Sequence, residues 1–419
     1  MLSDTDQPQS NATWGALEGL TVLELTQMLS GPFAGMCLAD QGARVIKVEP
    51  PGGDHTRDLG PNPDGGRTMA DGGYGGYFAS INRNKRSIVI DLKSAGGRDL
   101  FLSLVADADV VLENFRAGVM DRLGLGYETL AEVNPKLVYA AIRGFGDPRT
   151  GESAQANWPA YDVVAQAMGG IMAITGSEPG GTPTKIGPGV GDLIPAMQSV
   201  IGILAAVYRA ERTGRGQFVD VAMVDGVMAV CERAIFQHTY TGAIPGPEGN
   251  AHPLLCPFGL FPAKDGHVAI GIPRDVFWAI FAEQIGMPEL ADDPRYRENA
   301  GRLERQDEVH EIVGSWTSAR SKSEIARVLG GKVPFGPVQS ADEIIASDHM
   351  QARAMLAPIE HPGVPGRFAI ANTPIKMTET PGGVHARAPL VGEHTSEVLA
   401  EFGFSDDAIE SLMADKVVA

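Results

Sequence analysis

From Leu20 the chain reads GLTVLEL, then TQMLSGP, then FAGMCLADQG, then ARVIKVE, ending at Glu49. Two apolar runs of strand length flank a segment of helical length, which is the spelling of a βαβ unit. Ser30 is placed to cap the helix, Pro32 stands in its first turn, where an N–H would have no intrahelical partner, and Gly42 closes it. A parallel crossover buries both faces of the sheet and gathers the loops after the strands' carboxyl ends in one crevice, where ligands of such folds bind. Thr26 to Pro32 is the first of these loops.

The alternation continues with SIVIDL as strand, Ser94 capping the helix AGGRDLFLSLVADA, DVVLEN as strand, a helical stretch through DRLGLGYETLAEV, and KLVYAAIRG as strand. The economical fold is α/β, with a large doubly wound, Rossmann-like domain. Residues 144 to 191 thin into glycine and proline around a short helical piece, YDVVAQAM. A long apolar helix is then predicted from Leu193 to Arg212, beginning just after Gly191-Asp192. Near residue 226 the character shifts, and GLFPAKDGHVAIGI presents two β-rich runs around Asp265-Gly266, suited to a hairpin. Helices follow to about Leu329, one opening with the capping box Ser321-Lys322-Ser323-Glu324. The expected division is residues 1–226 as the N-terminal part of a large domain and 227–330 as a smaller α/β domain. Residues 331–419, beginning with VPFGPVQS and ending in a helix capped by Ser405, would then return to the first.

A length of 419 residues makes two domains the default. The 34 basic and 52 acidic side chains leave a formal charge of −18, which repels polyphosphate backbones and anionic membranes, so no nucleic-acid or membrane partner is expected. An anionic ligand would have to be met by a local basic cluster. Cys37, Cys231 and Cys256 are odd in number and far apart, which gives no disulfide framework and no zinc site and fits a reducing cytoplasm. The first eighteen residues are polar, without a signal-peptide pattern. No stretch approaches the ~20 uninterrupted apolar residues of a membrane span.

No G-x-G-x-x-G follows the first strand, and no P-loop, G-x-S-x-G elbow or metal-binding histidine spacing occurs. Chemistry must then come from carboxylates, basic residues and backbone. Asp192 follows GPGVG and precedes the long helix, where unpaired N–H groups and the positive dipole end favour an ionised carboxylate. It can act as a nucleophile that forms a covalent intermediate, or simply as an N-cap. Lys85 and Arg86 precede SIVIDL, Lys93 follows it, Arg116 and Arg122 lie after DVVLEN, and Arg143 follows KLVYAAI. The last four gather at one sheet edge as a phosphate seat, unless each is a solvated surface charge. Asn114 and Phe115 offer a hydrogen bond and a stacking face to a purine, or a turn residue and a core plug. Tyr161 either projects its hydroxyl into the crevice or packs at a helix start. Cys37 reads as core, and His252 as a loop histidine that needs no function.

Taken in order, LEGLTVLELTQMLSGPFAG with LADQGARVIKVEPPGGDHTR, NRNKRSIVIDLKS, ADVVLENFRAGVMDRLGLGYETL, NPKLVYAAIRGFG, YDVVAQAMGG, VGD before the long helix, RTGRGQFVDVAM, VPFGPV and APLVGEHTSEVL are similar to the class III CoA-transferases. That family includes formyl-CoA and carnitine CoA-transferases and is related to the α-methylacyl-CoA racemases. The resemblance runs over nearly the whole chain from Leu17 and implies a CoA-transferase with Asp192 as nucleophile. It implies CoA contacts at Leu29, Ser30, Leu92, Lys93, Asn114, Phe115, Arg116, Arg122 and Tyr161, and acyl or acid contacts near Gly191, Asn250 and His252. Coenzyme A would be a co-substrate, with no tightly bound cofactor and no metal. The partners implied are an acyl-CoA, a small carboxylic acid and a second copy of the chain in an interlocked homodimer. The chemistry implied is transfer through aspartyl anhydride and aspartyl-CoA thioester intermediates. Alternatives within the resemblance are an isomerase or racemase, or a CoA-binding homologue without chemistry.

Three departures bear on this. Pro50 stands where formyl-CoA transferases look to carry an arginine for CoA. No glycine-quartet loop is present, with GPEGNAHP at 246–253 in its place, which disfavours formyl and oxalyl substrates. Tyr161 stands where the racemases carry a histidine, which favours transfer over racemisation.

Overall fold

Six short runs, the first five buried along nearly their whole length, form one parallel sheet: β1 (Thr21–Leu25), β2 (Arg44–Glu49), β3 (Arg86–Val89), β4 (Val110–Glu113), β5 (Val138–Arg143) and β6 (Phe218–Ala222). The computed structural model describes residues 15–63, 66 and 68–419; most of the polar leading segment lies outside the described residues. Strand order is β3-β2-β1-β4-β5-β6, the doubly wound order, and every neighbouring pair is parallel. The chain leaves β1 toward one edge and β4 toward the other, so a crevice opens beyond the carboxyl ends of these two strands.

Helices cover both faces. One face packs Leu23, Ile46, Ile88, Val111 and Tyr139 against α3 (Ala95–Val105), a later helix α5 (Tyr127–Val133), and the C-terminal helices Thr395–Glu401 and Asp406–Ala414. Each fully buried aliphatic or aromatic side chain there contributes about 1.5–3 kcal/mol. The other face carries α1 (Ser30–Asp40) and α7 (Val190–Thr213), which pack on each other and on the sheet. Between these in sequence come α2 (Gly76–Ile81), α4 (Val119–Arg122) and α6 (Asp162–Met168). Ser94, Ser321 and Ser405 cap their helices as their sequence context predicts.

The chain divides into two units. The first holds the described residues up to Gly170, Gly187–Glu232 and His349–Ala419; the second holds Ile171–Ile186 and Arg233–Asp348. The boundary expected at 226/227 falls inside α8 (Met223–Val230), a continuous helix packed on α7. In the second unit β7 (Phe258–Ala263) and β8 (Gly266–Gly271) form the predicted hairpin. Its third strand, β9 (Phe335–Pro337), pairs antiparallel with β8. VPFGPV therefore belongs to the small sheet and not to a segment returning to the large one. Trp278, Phe281, Val313 and Trp316 form this unit's core. A further hairpin, β10 (Leu356–His361) and β11 (Val364–Ala371), belongs to the first unit.

Two helix starts differ from expectation. Ser30 is the first helical residue and makes no cap; Leu29 precedes it, and its carbonyl accepts the Phe33 N–H at 2.8 Å. The helix α7 begins at Val190, so Asp192 lies within its first turn and is not its N-cap. By length and composition α7 is also long and apolar enough to cross a membrane, contrary to expectation. One side of it packs on β5 and β6, with Ser199, Ile203 and Ala206 fully buried.

Candidate active site

The loops after β1 and β4 meet at the crevice. Asn114 accepts the Gln27 N–H at 2.9 Å and donates to the Gln27 carbonyl at 2.7 Å, with a longer 3.4 Å contact to Ser30 Oγ. Its polar atoms therefore hold the β1 loop. Lys47 donates to the Thr26 carbonyl at 2.8 Å from beneath, and Thr26 Oγ1 donates to Glu24 at 2.7 Å. Met28 is left-handed at φ 65°, a conformation that a non-glycine residue keeps only where its surroundings impose it.

Two clefts lie on either side of this loop. The larger, about 460 Å³, is lined by Gln27, Pro50, Leu92, Lys93, Phe115 and Arg122, among others. The second, about 260 Å³, is lined by Gln27, Ser30, Asn114, Arg116, Trp158, Tyr161 and Asp192, and shares Phe115 with the first. Phe115 packs on the core and lines both clefts. Leu29 lines neither cleft but abuts the start of α7, where a Cβ at Gly189 would meet its side chain.

The expected basic cluster splits in two. Lys93, Arg116 and Arg122 are exposed, and none has an ion-pair partner among the described residues. Of the other three, Arg143 and Lys85 are buried and Arg86 is half-buried at the surface. Arg143 is buried against Glu113 and Asp147. Lys85 is fully enclosed with Glu24 at 2.8 Å, and Arg86 pairs with Glu397 and Glu401 at the opposite strand end.

Asp192 is 8% exposed. Asp162, at the start of α6, accepts the Gly191 N–H at 2.8 Å and both Gln166 N–H contacts at 2.9 and 3.0 Å. A Cβ at Gly191 would overlap the Asp162 carbonyl oxygen, so this approach requires glycine. Burial, and then the Asp162 charge, push the Asp192 carboxyl up to about 7, although the Asp162 backbone N–H partly offsets them. Desolvation is the largest cause of that rise. Tyr77, on α2, carries no local sequence signal that marks it. Burial and the charges of Asp192, Asp54 and Asp162 push its hydroxyl up to about 12, which leaves it a donor at neutral pH.

Asn250 and His252 lie in the second unit. The Asn250 carbonyl accepts the Leu260 N–H at 3.2 Å. The His252 ring packs on Phe258 at 5.1 Å and accepts the Leu254 N–H at 3.1 Å. Cys37 is half-buried, with its thiol pushed up to about 12 by burial, an inert core position. Among the described residues no group of three or more His, Cys, Asp or Glu side chains is arranged to hold a metal.

The family model described as CoA-transferase family III matches residues 17–395. A succinyl-CoA:mesaconate CoA-transferase from Haloarcula hispanica is 47% identical over 93% of this chain and 97% of its own. An acetyl-CoA:oxalate CoA-transferase from Acetobacter aceti is 40% identical over 93% and 96%. The crystal structure of a CAIB/BAIF family protein from Brucella suis superimposes with a TM-score of 0.80 at 35% identity, covering 93% of this chain and 99% of that one. On the family match over residues 17–395 and these identities, the chain belongs to CoA-transferase family III and is a CoA-transferase.

Proposed function

We propose that this enzyme moves CoA from an acyl-CoA donor to a small dicarboxylic acid through covalent intermediates on Asp192. The observation that carries the reading is the position of that carboxylate. It is buried in a cleft that shares Gln27 and Phe115 with a second, cation-lined cleft. A nucleotide in the larger cleft places its phosphates by Lys93 and Arg122, and the pantetheine arm reaches Asp192 past Gln27. Leu92 and Phe115 flank the arm, Arg116 and Tyr161 line the Asp192 end, and Leu29, Ser30 and Asn114 act by shaping the loop. Gly191, Asn250 and His252 are the positions assigned to the acyl group and acid.

In the first step an Asp192 oxygen attacks the donor carbonyl; the C–S bond breaks, leaving an aspartyl anhydride and CoA thiolate. The thiolate attacks the aspartyl carbonyl and expels the donor acid, leaving an aspartyl-CoA thioester. The acceptor carboxylate then displaces CoA to give a second anhydride, and the thiolate attacks the acceptor's carbonyl, freeing Asp192. Each oxyanion needs a donor; Tyr77, protonated at neutral pH, is a candidate. The dicarboxylate class rests on the two relatives named for mesaconate and oxalate. Exposed apolar side chains, Ile201 and Tyr208 on α7 and Tyr240 and Ile244 in the second unit, support a homodimer, interlocked as the resemblance implies. Three free cysteines support a cytoplasmic location.

Hydroxylamine added during turnover, followed by peptide mass analysis, is expected to mark Asp192 as a hydroxamate. An unmarked Asp192 together with full activity in D192A would overturn the reading.

A further inference from the structure

We infer that the Gln27 side chain recognises an amide of the pantetheine arm, at the point where the two clefts meet; this rests on CoA occupying those clefts as proposed above. Gln27 belongs to the wall of both clefts. Its backbone N–H and carbonyl are both taken by Asn114, at 2.9 and 2.7 Å. The preceding residue is held too: Lys47 donates to the Thr26 carbonyl at 2.8 Å, and Thr26 Oγ1 donates to Glu24 at 2.7 Å. What remains is a half-buried carboxamide with no hydrogen-bond partner among the described residues.

A half-buried amide without a protein partner, on a loop held by three other side chains, is disposed toward something that enters the cleft. The part of CoA lying between the phosphates and the thioester is the pantetheine arm, whose two amides each offer one N–H and one carbonyl. A carboxamide answers both with one side chain, donating through Nε2 and accepting through Oε1. A carboxylate at this position could accept but not donate, and an aliphatic side chain could do neither.

The test is a cycle of ligand and side-chain changes read by calorimetric binding to the full-length protein, so that it does not depend on turnover. The ligands are free CoA and two analogues, each with one pantetheine amide N–H replaced by an ester oxygen. The proteins are wild type, Q27L and Q27E. Wild type is expected to bind one of the two analogues about five- to tenfold more weakly than CoA, the range of one neutral hydrogen bond. Q27L should bind CoA weakly by a similar factor and no longer distinguish that analogue. Q27E, which keeps the size and the acceptor, should retain part of the discrimination. Equal binding of all three ligands by wild type, or unchanged discrimination in Q27L, would overturn the assignment. Hydroxylamine trapping of Asp192 in the same proteins keeps the two readings apart. Trapping with unchanged discrimination sinks only the role of Gln27, whereas absence of trapping in wild type sinks the covalent route.

Discussion

Asp162 Oδ1 accepts the Gly191 N–H at 2.8 Å, which ties the first turn of α6 to the first turn of α7 one residue before the Asp192 carboxylate. The tie is structural and its charge is not neutral in effect, because the same anion raises the Asp192 carboxyl, second only to burial. The D162N variant keeps an oxygen for Gly191 and removes the charge. If ionised Asp192 is the nucleophile, wild-type kcat/KM rises with pH through about 7. In D162N that limb should move to lower pH because the repelling charge is gone, yet stay above the ordinary carboxylate range because desolvation remains. A pH–rate profile measures this; an unmoved limb would separate Asp162 from the ionisation of Asp192.

Asp192 should also weaken the fold at the pH where it works. A carboxyl raised in the folded state from 3.8 to about 7 binds its proton more tightly folded than unfolded. Stability from this group is therefore complete below about 4 and declines as pH rises toward 7. At about 1.4 kcal/mol per pKa unit, the scale is a few kcal/mol. D192N carries no such penalty, so its melting temperature should match wild type near pH 4 and exceed it at pH 8. Calorimetric melts at the two pH values check this, and a variant less stable than wild type at pH 8 would contradict it.

Lys93 and Arg122 have no ion-pair partner among the described residues and line the larger cleft. If they hold CoA phosphates, each contact is a charge-assisted one of about 1.5–3 kcal/mol, or roughly tenfold or more in affinity. K93A and R122A should each raise KM for acyl-CoA by about that factor, with kcat little changed. The decisive control is an acyl-pantetheine donor, which lacks the nucleotide: with it, both variants should behave like wild type. A loss shared by both donors would mean that the side chains support the fold and not the phosphates.

How far these positions could be read from the sequence depends on which forces act locally. Strands buried on both faces spell continuous apolar runs, so GLTVLEL, ARVIKVE and KLVYAAI announce the sheet directly. Phe335–Pro337 does not, because three residues with a proline carry no period and pair only by virtue of β8. Asp192 can be located from its place before an apolar helix, but its ionisation cannot. The carboxylate that shifts it is 30 residues upstream by number, and burial is a property of the packed chain. Charges mislead most. Lys85, set in NRNKRS, looks like a solvated turn residue, yet it is enclosed against Glu24, whereas its neighbour Arg86 stays at the rim. Nothing in the spacing of Glu24, Lys47 and Lys85 marks them as one cluster until β1 and β2 lie side by side.

That buried cluster yields the last expectation. Lys85 Nζ lies 2.8 Å from Glu24, 2.8 Å from the Pro32 carbonyl and 2.9 Å from Asn82 Oδ1, while Lys47 meets Glu24 at 3.5 Å and Asp54 at 2.9 Å. Replacing Lys85 by methionine preserves most of the volume and leaves Glu24 desolvated with only the distant Lys47 to balance it. Breaking a buried pair in this way costs about 3–5 kcal/mol, chiefly as the penalty of the abandoned charge. The K85M/E24Q double variant removes that charge as well, and Lys47 still has Asp54. It should therefore be more stable than K85M alone, although two substitutions separate it from wild type. Urea unfolding of the three proteins decides the matter: a double variant no more stable than K85M would show that the stabilisation comes from the Pro32 and Asn82 contacts and not from the pair.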